Sequence, residues 1–127
     1  MAYVKKNKKQ RLQVDTAKIH IKSTFNNTLV TVTTVTGDVL FRSSAGRLNY
    51  KGTRKGTPYA ASQVGSSLVK DMHSLGIKNL EVNMQGIGNG RDSVVRVMQG
   101  SGFNIVVLRD VTPLPFGGCR PAKRRRV

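Results

Sequence analysis

Residues 57–108, TPYAASQVGSSLVKDMHSLGIKNLEVNMQGIGNGRDSVVRVMQGSGFNIVVL, change their apolar period three times, and that alternation decides the fold. Thr57-Pro58 reads as an N-cap followed by a proline suited to a first helical turn. Ala61, Val64, Leu68, Met72 and Leu75 then recur three and four apart, the spacing of one helical stripe, and Gly76 marks the end. From about Lys78 to Met84 the period drops to two: Leu80, Val82 and Met84 alternate with Asn79, Glu81 and Asn83, as in a strand. A glycine-rich link, Gly86-Ile87-Gly88-Asn89-Gly90, leads to a short helix with Val94, Val95 and Met98 facing inward and Gly102 closing it. The unbroken apolar run at 105–108 predicts a strand covered on both faces. Helices alternating with strands call for parallel pairing through right-handed crossovers, with the helices packed on the sheet.

Upstream, Ile19 and Ile21 alternate with Lys18, His20 and Lys22, a strand that the Asn26-Asn27 turn ends. Residues 29–35 are β-branched apart from Leu29, and Thr36-Gly37-Asp38 reverses the chain before a third strand at 39–41. The order is therefore βββαβαβ, an α/β fold with five strands. Residues 43–57 hold Gly46, Gly52 and Gly56 and read as a mobile loop. Residues 1–16 are basic and aperiodic, 17–112 form the core domain, and 113–127, interrupted by Pro113, Pro115 and Pro121, form a second basic extension.

Charge indicates the partner. Lys and Arg number 22 against 6 acidic residues, a net charge of +16 in 127 residues with a pI near 11.1, far more than solubility requires. The cations cluster: Lys5, Lys6, Lys8, Lys9 and Arg11 at one end; Arg42, Arg47, Lys51, Arg54 and Lys55 in the middle; Arg120, Lys123, Arg124, Arg125 and Arg126 at the other end. Crowded like charges repel one another, so the clusters make sense against a polyanion, and nucleic acid is the expected one. No apolar run approaches the roughly 18 residues of a membrane span, and no secretion signal opens the chain, so no membrane partner is expected. Cys119 is the single cysteine, which excludes an internal disulfide and a CxxC pair.

Individual motifs sharpen this. Gly86, Gly88 and Gly90 with Arg91 fit two readings, backbone contact with a phosphate at a helix start or a tight βα turn; the spacing matches neither a dinucleotide fingerprint nor a P-loop. The loop Lys51-Gly52-Thr53-Arg54-Lys55-Gly56-Thr57 mixes cations, glycines and hydroxyls in a way that favours close approach to phosphate oxygens. His20 and His73 have no acidic or cysteine partner in sequence, and Cys119 has no base to activate it. A two-metal nuclease needs clustered carboxylates, whereas Asp15, Asp38, Asp71, Glu81, Asp92 and Asp110 are scattered. Four Phe and three Tyr form no paired base-stacking pattern, which favours recognition of backbone and shape. No metal or cofactor is expected.

Four stretches go beyond composition: FNNTLVTVT at 25–33, KGTRKGTPYAA at 51–61, GIKNLEVNMQGIGNGRDS at 76–93 and GFNIVVLRDVTPLPFGGCRPAKRRRV at 102–127. In order and spacing they resemble the family of the eleventh protein of the small ribosomal subunit. That resemblance implies a three-layer α/β/α scaffold of the ribonuclease H-like kind, with a mixed five-stranded sheet and no enzymatic activity. It implies a place on the platform of the small subunit, in contact with ribosomal RNA and neighbouring ribosomal proteins and close to messenger RNA on the exit side. Carried over, it makes Asn26 and Asn27, the Arg54-Lys55 loop, the link from Gly86 to Arg91 and the tail from Arg120 to Arg126 the RNA-facing positions; the charge clusters and the central loop add Arg47, Lys51, Thr57 and the basic N-terminal residues as expected RNA contacts. The chain departs from the family pattern at Phe116-Gly117-Gly118, where His-Asn-Gly is frequent, at Gly56 in place of Ser, and at Ile87 and Asn89 in place of prolines. The expected setting is a ribosome in a bacterial cytoplasm or an organelle. The rival readings are a metal-dependent ribonuclease H-like nuclease and a general DNA-compacting protein.

Overall fold

A computed structural model describes residues 15–124 and 126. Its elements follow the expected order: β1 (Thr16–Ser23), β2 (Thr28–Thr34), β3 (Val39–Ser44), α1 (Pro58–Ser74), β4 (Asn79–Gln85), α2 (Gly90–Gly100) and β5 (Asn104–Asp110). The strands form one mixed five-stranded sheet in the order β3-β2-β1-β4-β5. β1 pairs antiparallel with β2 and parallel with β4; β2 and β3 are antiparallel, β4 and β5 parallel.

Period-two patterning fixes which face is buried. Register sets Ile19 beside Val32 and Val82, and Ile21 beside Val30 and Met84, so these apolar side chains share one face. Ile19, Ile21, Val30, Val32, Leu80 and Val82 are buried there. Each contributes about 1.5–3 kcal/mol relative to an exposed side chain. A one-residue slip of any strand would turn its apolar set to the other face.

Both helices pack on that face. The crossovers from β3 to β4 and from β4 to β5 run the same way across the sheet, and right-handed connections then place α1 and α2 on the same side. Ala60, Ala61, Val64, Leu68 and Met72 of α1 join Val94 and Met98 of α2 in the single core. Gly65 lets the helices close on each other: a Cβ there would stand 3.3 Å from Val97. The mixed five-stranded α/β sheet thus carries its helical layer on one side. Sheet, helices and strand order agree with the α/β fold that the family resemblance implies.

Two local expectations change. β5 is an edge strand with Val106 58% and Leu108 54% exposed, not a strand covered on both faces. An apolar run looks the same at an edge as in the middle of a sheet, and only topology separates the two. The loop after β3 is more ordered than its glycines suggest: Leu48 and Tyr50 both donate backbone bonds to Ala45 O at 3.2 Å, and a 3₁₀ turn occupies Gly52–Gly56.

Candidate nucleic-acid interface

Three segments distant in sequence meet at the end of the sheet where β1 and β4 finish. The β1–β2 turn is held by Thr24, whose Oγ1 accepts the N–H groups of Asn26 at 3.3 Å and Asn27 at 3.1 Å. Asn27 Oδ1 in turn accepts Thr28 N at 2.8 Å, which leaves Asn26 the exposed member of the pair. Gly56 lies so close to the Phe25 carbonyl that any Cβ would collide with it. Gly86, at φ 99°, and Gly88 lie equally close to Ser23 and Thr24, while Gly90 abuts Thr28 and Ala61. Close approach to backbone therefore requires Gly56, Gly86 and Gly88, close approach to side chains requires Gly90, and together they draw the central loop and the β4–α2 link onto the hairpin.

The link also spends its donors internally. Gly88 N donates to Ser23 O at 3.1 Å, and Gly86 N to Thr112 Oγ1 at 3.1 Å. Arg91 Nη1 donates to Gly86 O at 3.2 Å and to Asp110 Oδ2 at 3.0 Å. Asp110 Oδ1 accepts both Thr112 Oγ1, at 2.6 Å, and Thr112 N, at 3.1 Å. The Thr112 hydroxyl foremost, then its N–H and the Arg91 guanidinium, hold the Asp110 carboxyl below its ordinary pKa. The root of the C-terminal segment is thereby latched to the same rim. Of the two readings of the link, tight-turn packing accounts for Gly86 and Gly88 directly. The positive end of α2 keeps a start without a side-chain cap, since Asn89 makes no capping bond.

The central cations divide into two groups. Lys51 and Arg54 flank a depression with Leu48 and Tyr50, and Thr57 caps α1 by accepting Ala60 N at 3.2 Å. Arg47 lies toward β3, its Nη1 donating to Arg42 O at 2.7 Å; the two arginines border a shallow depression of about 620 Å³ with Leu29, Thr31 and Ser44. Lys55 is half-buried, its Cδ lying near Gly46. Arg120, Lys123, Arg124 and Arg126 are exposed and outside regular structure. Lys5, Lys6, Lys8, Lys9, Arg11 and Arg125 lie outside the described residues.

Sequence reasoning singled out Arg42 but passed over the cations that share its face, Lys18, Lys22 and Arg109. Cross-strand register lines up Arg42, Thr31, His20, Asn83 and Arg109 in one row across the face away from the helices, with Lys18 and Lys22 on the same face. The signal was present as the polar half of each alternation, which reads as an ordinary solvated face until the register joins the strands. His20 Nε2 lies 3.2 Å from Thr33 Oγ1, and His73 stacks on Phe103 with centroids 4.5 Å apart. Neither histidine faces a carboxylate. Among the described residues no three His, Cys, Asp or Glu side chains gather as a metal site, and no helix is long and apolar enough to cross a membrane.

The family model described as ribosomal protein S11 matches residues 17–126, nearly the whole chain. This chain belongs to the ribosomal protein S11 family. It is similar to the small ribosomal subunit protein uS11c of Trieres chinensis, 49% identical over 109 residues that cover 86% of this chain and 84% of that protein. It is also similar to the small ribosomal subunit protein uS11 of Thermotoga maritima, 46% identical over 120 residues that cover 94% of this chain and 92% of the relative. Members of the S11 family are structural, non-enzymatic parts of the ribosome, so this chain is a ribosomal protein of the small subunit and not a nuclease. Its partners are accordingly those of a ribonucleoprotein, ribosomal RNA and other ribosomal proteins.

Proposed function

We propose that this protein binds small-subunit ribosomal RNA at the platform, where it supports subunit assembly and translation. The observation that carries the proposal is the convergence on one rim of the 24–27 turn, the basic loop ending at Gly56 and the 86–91 link, with the root of the basic tail at 110–112 beside them. In this reading the folded core, residues 17–112, supplies shape and register. Lys51, Arg54 and Lys55 at the rim neutralise phosphates, and the basic segments 1–16 and 113–127 extend the contact. In the same reading messenger RNA passes near the protein on the exit side. Arg91 acts through its bond to Asp110, by holding the rim together. The site is a ribosome in a bacterial cytoplasm or an organelle.

Electrostatic binding has a quantitative signature. With about six to ten phosphates engaged, affinity for a small-subunit RNA fragment falls about 10³- to 10⁵-fold between 50 and 200 mM salt, on the duplex-DNA rule. Filter binding across that range tests it, and a flat response overturns it. Random duplex DNA is the comparison: equal affinity for the two would favour a general compacting protein instead.

A further inference from the structure

We propose that the helix-free face of the sheet is a second RNA-docking surface, one that grips the sugar-phosphate backbone of a double-helical RNA segment. The inference rests on the RNA-binding reading above and adds a site to it. Lys18, Lys22, Arg42 and Arg109 stand on this face with a single carboxylate, Glu81. Glu81 is shared between Lys18, at 4.0 Å, and Arg109, at 3.9 Å, so one carboxylate is set against the four cations and the face keeps a positive excess. The outward surfaces of the helices differ: exposed Lys70 and Arg96 are balanced by exposed Asp71 and Asp92. The positive excess therefore lies on the sheet side.

Charge selects the occupant. A second copy of this chain, at +16, would be repelled, and so would the chain's own N-terminal segment with Lys5, Lys6, Lys8, Lys9 and Arg11. A polyanion would be attracted. Arg42 and Arg109 sit on opposite edge strands, about 19 Å apart at the usual strand spacing, so the cations suit an extended surface better than one small anion. The exposed members of the central row are Arg42, His20 and Arg109, two guanidinium groups and one imidazole with no Phe or Tyr between them, so charge and hydrogen-bond donors outweigh aromatic surface there. Recognition then falls to phosphates, riboses and helix shape. Hydroxyls of Thr31 and Ser44 beside Arg42 and Arg47 add donors for phosphate oxygens.

The test compares two full-length variants with the same charge change. Lys22→Gln/Arg42→Gln/Arg109→Gln removes three of the four cations of the face, and Lys70→Gln/Lys78→Gln/Arg96→Gln removes three cations elsewhere. Filter binding to a double-helical small-subunit RNA fragment over a salt series should give a log–log salt slope shallower by about 2 to 3 for the face variant, and by less than about 1 for the control. Equal slopes for both variants overturn the docking surface while leaving the RNA-binding reading intact. Failure of the unaltered chain to bind at low salt overturns both. A photo-crosslinking residue at Thr31 in the otherwise unaltered chain, incorporated into small subunits, covers the case in which the face variant does not fold. Cross-links to RNA support the proposal, whereas cross-links to a neighbouring protein alone overturn it.

Discussion

Arg91 and Asp110, nineteen residues apart in the chain, meet at 3.0 Å across the gap between the start of α2 and the end of β5. The guanidinium that sequence reasoning offers to RNA is thus already in use, tying the glycine link to the point where the chain leaves the sheet. Asp110→Asn should loosen both segments at once, visible as faster amide exchange at 86–88 and 110–112 with little change in the core. Unchanged exchange would mean that packing of the glycines alone holds the rim.

The same carboxylate predicts a pH dependence. Its pKa in the folded protein lies below the ordinary 3.8. Its stabilising contribution is therefore complete above that value and lost as pH falls through the folded pKa. The Tm difference between the unaltered chain and Asp110→Asn should shrink on acidification through that range. A difference that is constant with pH would show that Asp110 acts without its charge. The site is solvent-exposed, so the effect is small and falls with salt.

Glycine substitutions should separate packing from helix propensity. Gly86→Ala places a Cβ against the Ser23 backbone at a positive φ, and should cost about 2–4 kcal/mol in chemical unfolding. Gly100→Ala, at the last position of α2 with nothing within 4 Å of a new Cβ, should instead gain about 0.5–1 kcal/mol. Equal effects at the two positions would contradict the close approach of the link to β1.

Thr57→Ala removes the bond to Ala60 N at 3.2 Å and should destabilise the protein by about 1 kcal/mol, with Thr57→Ser nearly silent. Denaturant midpoints at constant m-value would measure both. A full loss in the Ser variant would assign the effect to the lost methyl group.

Asn83 Oδ1 is buried in mid-sheet without a hydrogen-bond partner. Asn83→Val relieves that cost and suits a strand, so the free protein should gain about 1 kcal/mol. A loss of stability would indicate that the amide has a partner in solution.

The strands and helices were legible because each apolar set keeps a single period over a whole element. Ile19 and Ile21, Leu80, Val82 and Met84, and the stripe from Ala61 to Met72 are examples. Thr57-Pro58 and Gly76 marked the bounds of α1 for local reasons that hold in any fold. Legibility ended where meaning depends on what lies beside a residue in space. Nothing in the run at 105–108 says that β5 is the last strand. Nothing near Arg91 in sequence names Asp110. The turn at 24–27, the basic loop and the glycine link could each be singled out, but their shared rim arises only when Gly56, Gly86 and Gly88 close onto residues 23–25. The row from Arg42 to Arg109 needed the register of all five strands.

The edge at β5 gives the surplus charge another role. An unpaired strand showing Val106 and Leu108 to solvent invites a second molecule to zip onto it, and among the described residues nothing caps that border. Mutual repulsion at +16 keeps free molecules apart in dilute buffer. Added electrolyte shortens the reach of that repulsion to about 8 Å near physiological strength. Unassembled protein therefore turns colloidally unstable as salt rises, the condition under which its hold on a polyanion also weakens.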